Sequence, residues 1–130
     1  MNVQRFLDRL REIPKDPRLF AALGEALVLR LDVSYGKETD PYGNDWEPVE
    51  DPEPKKKILI ETGRLRNSLE WLHSGDSRLE IGTNVEYAPY HQEGTKNMVA
   101  RPFLPDKDDL PISMKRAIKN TVAAYYRGIR

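Results

Sequence analysis

The sequence predicts an α+β fold: N-terminal helices and a C-terminal helix packed on a small antiparallel β-sheet, with a long Pro/Gly-rich loop before the sheet. Three observations carry this. Apolar residues recur at helical spacing at both ends of the chain, with Phe6, Leu7, Leu10 and Ile13 at one and Met114, Ala117, Ile118, Thr121, Val122 and Tyr125 at the other. Two short stretches in the middle alternate with a period near two around the turn-forming string "SGDS". Between helices and strands lies "GKETDPYGNDWEPVEDPEPKKK", with four prolines, two glycines and little periodicity. The 130 residues suit one domain, 1–130, and a chain of this size buries roughly two-thirds of its unfolded surface, enough for a core without covalent staples.

The elements follow in order. Residues 2–13 read as an amphipathic helix that Pro14 stops. Asp16-Pro17 restarts one, because an aspartate can cap free amides and proline suits the first helical position, where no N–H is needed. Leu19, Phe20, Leu23, Ala26, Leu27 and Leu31 give this second helix a wide apolar face, and Gly36 is its expected C-terminal stop. The loop spans 36–57. Loops this long in small domains are functional or disordered, and its one large apolar anchor, Trp46, is expected to dock on the core or on a neighbouring subunit.

After a turn at Thr62-Gly63, residues 65–73 read as a strand, although Leu69 and Leu72 also permit a helical turn. "RLEIGTNV" supplies its hairpin partner through Leu79 and Ile81. "EYAPYHQEG" reads as a short helical or irregular crossing. Pro102 keeps Ala100-Arg101 extended, so Arg101 to Leu104 reads as a short extended segment. The last helix starts near Asp108-Asp109.

Composition removes several function classes. There is no cysteine, hence no disulfide, thiolate metal site or cysteine nucleophile, which fits a reducing compartment. Lys+Arg and Asp+Glu both number 21, so the basic excess of a sequence-blind nucleic-acid binder is missing overall. No apolar run approaches the ~20 residues of a membrane span, and "MNVQRFLDRL" has charges in its first turns and no apolar h-region, so no secretory leader is expected. The charge is uneven, however. Residues 101–130 hold seven cations against three carboxylates, either a solvated helix face or a basic surface for DNA or an acidic partner.

The densest polar string is "YAPYHQEG". His91, Glu93 and nearby Glu86 invite a metal or proton-transfer reading, but a zinc site needs three or four ligands at set spacing, and the second histidine, His73, completes none. No nucleophile turn or glycine-rich phosphate loop is present, so neither a catalytic residue nor a cofactor or metal ligand is assigned. A structural reading fits better. His91 and Gln92 carry donors and acceptors that can pin irregular backbone, Gly94 can take a positive φ, Arg101 offers a bidentate fork, and Phe103 and Leu104 bury apolar area.

Four strings, "DPYGNDWEPV", "ILIETGRLRNSL", "IGTNVEYAPYHQEG" and "ARPFLP", stand in an order and approximate spacing that resembles the phage virion-morphogenesis (tail-completion) family, which includes the Mu-like G protein and the P2-like S protein. The matching positions are Gly43 and Trp46; Leu59, Thr62, Gly63, Leu65, Arg66 and Ser68; Ile81, Gly82, Tyr87, Ala88, His91, Gln92 and Gly94; and Arg101, Pro102, Phe103 and Leu104. The resemblance covers about residues 40–105, half the chain. It departs in the short link "TKNMVA", where relatives often carry longer insertions, and the N-terminal helices match in pattern only.

The resemblance implies a non-enzymatic virion protein of a tailed phage, assembled in the host cytoplasm. It would act at the neck, the head–tail junction, or the tail end as a homo-oligomeric ring, expected as a hexamer, around the DNA channel. Implied partners are the connector and the tail terminator or tube, with DNA passing through the lumen without sequence-specific binding and no membrane involved. Trp46, Gly63, Arg66, Tyr87, His91, Gln92, Gly94, Arg101 and Phe103 are the expected structural and assembly residues. Glu47, Glu50, Asp51 and Glu53 are the candidates to face the lumen, with the basic C-terminal helix outward or towards an acidic neighbour; the alternative is that both are merely solvated. A nucleic-acid-binding accessory protein is the alternative, supported by that helix and Lys55–Lys57; a hydrolase or metal protein centred on His91 and Glu93 is a third.

Overall fold

A computed structural model describes residues 16–47, 63–74, 78–96, 99–106 and 109–128. Its elements are α1 (Pro17–Gly36), β1 (Glu70–Ser74), β2 (Arg78–Gly82), α2 (Ala88–Glu93) and α3 (Ile112–Gly128), an α+β arrangement. The predicted helix over 2–13 lies outside the described residues.

Helix α1 begins as its sequence dictates. Asp16 is the N-cap in extended conformation, its side chain accepts from the Arg18 amide at 2.9 Å, and Pro17 opens the helix. Leu19, Phe20, Leu23, Leu27, Leu31 and Tyr35 are buried and form the centre of the core. The helix ends at Gly36, where the sequence places its stop, but the turn is made by another residue. Gly36 keeps an ordinary φ, and the left-handed residue is Glu38, at φ 57°. Glu38 N–H donates to the Tyr35 carbonyl and Thr39 N–H to the Ser34 carbonyl, both at 3.0 Å, the paired bonds of a Schellman stop. Gly36 serves packing instead: a Cβ there would stand 3.0 Å from the Arg66 guanidinium.

The hairpin is antiparallel, with Glu70 opposite Gly82, Trp71 opposite Ile81 and His73 opposite Leu79. The last two pairs share the face turned to α1, where the His73 ring stacks on Phe20 at 4.3 Å. The strand predicted over 65–73 is corrected. Residues 63–67 are helical, and the strand begins only at Glu70. Buried Leu65 and Leu69 are four apart, a spacing that suits a helical turn as well as a strand, and the turn is tied off by Ser68 Oγ donating to the Leu65 carbonyl at 2.6 Å. Arg101 to Leu104 forms no strand either; its backbone bonds to α2.

Helix α3 starts at Ile112, after Pro111, rather than near Asp108-Asp109. It buries Met114, Ala117 and Ile118 and half-buries Thr121, Val122 and Tyr125, the predicted stripe. It runs antiparallel to α1. Near its C-terminus Tyr125 donates to Asp16 Oδ2, while just before its N-terminus Asp109 meets Tyr42, which follows α1. The side-chain bonds of Arg18 and then Tyr125 hold the Asp16 carboxyl far below the usual carboxylate range. Among the described residues, no helix is long and apolar enough to cross a membrane.

Candidate functional site

Residues of all four motif strings meet around the C-terminal half of α1 and the adjacent segment 101–106. In the first string, residues 39–47 form an ordered turn where an irregular loop was expected. Asp40 Oδ1 accepts from the Tyr42 and Asn44 amides at 2.9 Å each, and Gly43 sits at φ 95°, a conformation glycine takes without a Cβ clash. The turn aims two aromatics at the far segment. Trp46 Nε1–H donates to the Pro102 carbonyl at 2.8 Å, and its ring meets the Tyr35 ring edge-on at 4.9 Å. Tyr42 Oη accepts from the Asp106 amide at 2.8 Å and donates to the Asp109 carbonyl. Residues 48–57 of the loop lie outside the described residues.

Trp46→Phe keeps a ring against Tyr35 but loses the indole donor to the Pro102 carbonyl, so unfolding free energy should fall by about 1 kcal/mol. An unchanged urea midpoint would show that water replaces the indole N–H without loss.

The second string carries Arg66 across to α1. Its guanidinium grips Asp32 through two bonds, Nε to Oδ1 at 2.6 Å and Nη2 to Oδ2 at 3.1 Å, and lies against the bare Cα of Gly36. Each partner shifts the other: the Asp32 carboxyl is held down by Arg66, and the Arg66 guanidinium up by Asp32. Both side chains are part-exposed, so the ion pair contributes at most about 1 kcal/mol, and its geometric role in fixing the 63–67 turn outweighs its energy. At Gly63 the backbone is ordinary and a Cβ would meet open space, so the described residues give no conformational reason for glycine there.

The third and fourth strings form a clip. Gln92 Oε1 accepts from both the Phe103 and Leu104 amides at 3.0 Å, and its Nε2 donates to the Leu104 carbonyl at 2.9 Å. The Arg101 amide donates to the His91 carbonyl at 2.7 Å. One amide side chain thus does for 103–104 what a strand partner would do in a sheet. Phe103 is buried beneath the clip and reaches Tyr35 at 6.1 Å between ring centroids. The His91 ring is buried and meets the Tyr87 ring at a steep angle, 5.6 Å between centroids, and the Arg64 guanidinium lies over the Tyr87 ring, 5.7 Å from its centroid. Arg101 is buried as well, and its guanidinium reaches the Glu47 carbonyl at 3.4 Å, tying the fourth string back to the first. Glu86 and Glu93, the carboxylates considered beside His91, are exposed. Among the described residues no three His, Cys, Asp or Glu side chains are placed to hold a metal ion.

Gly94 closes α2 at φ 78°, ψ 173°, a region that is almost exclusively glycine's, with its amide on the Tyr90 carbonyl at 2.8 Å. Gly94→Ala should therefore cost about 1–3 kcal/mol of stability. A thermal midpoint equal to that of the native chain would contradict the backbone assignment.

Reasoning from sequence alone missed Asp32, Gly36 as a packing position, Tyr42 as a strut, and Gly24, where a Cβ would stand 2.4 Å from Trp71 Cγ. The string "DPYGN" held the signal for the ordered turn, and an isolated glycine inside a helical pattern held the one for Gly24.

The chain is 37% identical over 89 residues to the Mu-like prophage FluMu G protein 1 of Haemophilus influenzae, a match that covers 59% of this chain and 60% of that protein. No solved structure matches it. The family model for phage virion morphogenesis matches residues 1–122, nearly the whole chain. The chain therefore belongs to the phage virion morphogenesis family.

Proposed function

We propose that the chain is a structural tail-completion or neck adaptor of a tailed phage, assembling as a ring around the DNA channel and joining connector to tail. The observation that carries this reading is the convergence of the four family strings on packing contacts. Gln92, Trp46 and Tyr42 each spend their polar groups on fixing backbone from another part of the chain, and Arg66 spends its own on the Asp32 carboxylate of α1. Such a design makes a rigid block with defined faces, which is what an adaptor needs. The reading extends to a non-enzymatic role, with no cofactor.

The lumen assignment is part of the same proposal. Fixed cations facing phosphates would hold the duplex, because each neutralised phosphate releases counterions. Acidic residues following Trp46 would let DNA slide, and Glu47 is exposed. Glu50, Asp51 and Glu53 lie outside the described residues. Arg116, Lys119 and Arg127 are exposed on α3, and they support the alternative reading as a nucleic-acid-binding accessory protein.

Deleting the coding sequence from a phage or prophage that carries it tests the main reading. Heads and tails should form but fail to join, or tails should lack their finished end, and the chain supplied in trans should restore them. Normal infectious particles from the deletion would overturn it. Tight DNA binding that weakens steeply with salt, with assembly intact without the chain, would favour the alternative.

A further inference from the structure

We propose that copies of this chain associate head to tail, the outward face of the β1–β2 hairpin of one copy seating on a groove between α1 and the start of α3 on the next. This rests on the ring reading above and names the surfaces that would form it.

The two faces are chemically complementary. The hairpin turns Trp71, His73, Leu79 and Ile81 toward α1, so Leu72 and its cross-strand partner Glu80 face the other way, with Glu70 beside them. Leu72 is 58% exposed, an apolar residue between carboxylates. Arg78 is held by Glu80 at 2.6 Å, which leaves Glu70 as the excess charge of this face.

The opposing groove encloses about 480 Å³ and is floored by Val33, Pro41, Tyr42 and Ile112. Ile112 is 69% exposed, more than any other large apolar residue among those described. The charged residues lining it are Arg30 and Lys37, both basic. The first turn of α3 carries no acidic residue, so the positive end of that helix adds to the field. An acidic face with an apolar knob thus matches a basic groove with an apolar floor.

The hairpin cannot reach the groove of its own molecule. Trp71 packs on α1 at Gly24, whereas Val33 lies nine residues further along. Nine residues are about 2.5 helical turns, so the two positions sit on opposite sides of α1 and about 13 Å apart along it. Only a second copy can bring the faces together. Because the faces differ, the contact is heterologous, and repetition closes a ring or runs on as a filament.

The signature of a heterologous contact is complementation between singly blocked copies. Light scattering on the purified full chain should show an oligomer. Leu72→Asp blocks the hairpin face and Ile112→Asp blocks the groove. Both residues are exposed, so each variant should stay folded as a monomer, with the native circular dichroism spectrum, and each alone should lose the oligomer. An equimolar mixture should form a dimer and nothing larger, since one intact hairpin meets one intact groove. Lys37→Glu and Glu70→Lys should each weaken assembly, and the chain carrying both should recover it. If both aspartate variants assemble like the native chain, these surfaces are wrong while the ring reading stands. A mixture that stays monomeric overturns the pairing of unlike faces. A native chain that is monomeric at every concentration overturns both this proposal and the ring.

Discussion

Gly24→Ala should destabilise the fold by about 2 kcal/mol, against the usual direction of a glycine-to-alanine change inside a helix. Helix propensity alone would stabilise the variant by about 1 kcal/mol. Packing opposes it more strongly. A Cβ at Gly24 would lie 2.4 Å from Trp71 Cγ, 2.5 Å from Cδ2 and 2.9 Å from Cβ. Carbon atoms pack favourably only near 3.5–4.0 Å. Cβ is fixed by the strand backbone, so rotation of the side chain can carry Cγ and Cδ2 away but leaves the 2.9 Å contact with Cβ. The whole of β1 would have to lift from α1, loosening the stack of His73 on Phe20 and the bond from Trp71 Nε1 to Glu25 at 3.1 Å. A urea titration reads the effect as a lower midpoint at unchanged slope. In a Trp71→Ala background most of the penalty should vanish, because the ring atoms are gone. If Gly24→Ala alone raises the midpoint, propensity is the only term acting there and the close approach of strand to helix is wrong.

What the sequence makes legible here depends on the range of the interaction that decides each residue. The start of α1 is local: Asp16 and Pro17 act within one turn, and the structure uses both as read. The stripe from Met114 to Tyr125 is also local, a single periodicity on one helix, and it packs as predicted. Glycine positions divide on the same line. Gly94 takes its positive φ for a reason internal to its own turn, and the sequence reading finds it. Gly36 and Gly24 are glycine because a side chain from a distant segment, Arg66 or Trp71, presses on the helix. An isolated glycine inside a helix hints at a packing reason at Gly24 but names no partner, and at Gly36 the helix ends where expected while Glu38 makes the turn. The 65–73 stretch fails for a different reason. Leu65 and Leu69 satisfy a period of two and a period of nearly four together, and the tie is broken by Arg66 reaching Asp32, 34 residues earlier.

The same reasoning gives the site its sharpest test. Gln92→Leu should cost about 2–4 kcal/mol, the sum of three hydrogen bonds lost and two amides and a carbonyl left without their partner. The lower end of that range applies if water enters. Gln92 and Leu104 border an open groove of about 630 Å³ beside the hairpin, so solvent stands close to the broken bonds. The Arg101 amide would still hold the His91 carbonyl, and Trp46 would still hold Pro102. The segment should therefore loosen locally at 103–104 rather than leave the core, with Phe103 as its remaining anchor. Hydrogen exchange separates this from a general loss of stability. The Phe103 and Leu104 amides should exchange much faster in the variant, while the amides of α1 around Leu27 change only as far as global stability does. Gln92→Glu refines the test. It keeps an oxygen for the two amides but replaces the donor to Leu104 with a carboxylate oxygen facing a carbonyl, so at neutral pH it should fall between the native chain and the leucine variant. Gln92→Asn has both groups on a chain one methylene shorter and should not rescue the contacts. If the two amides stay as protected in Gln92→Leu as in the native chain, the segment is held by Phe103 burial and the neighbouring backbone bonds, and the glutamine must answer to something other than this fold.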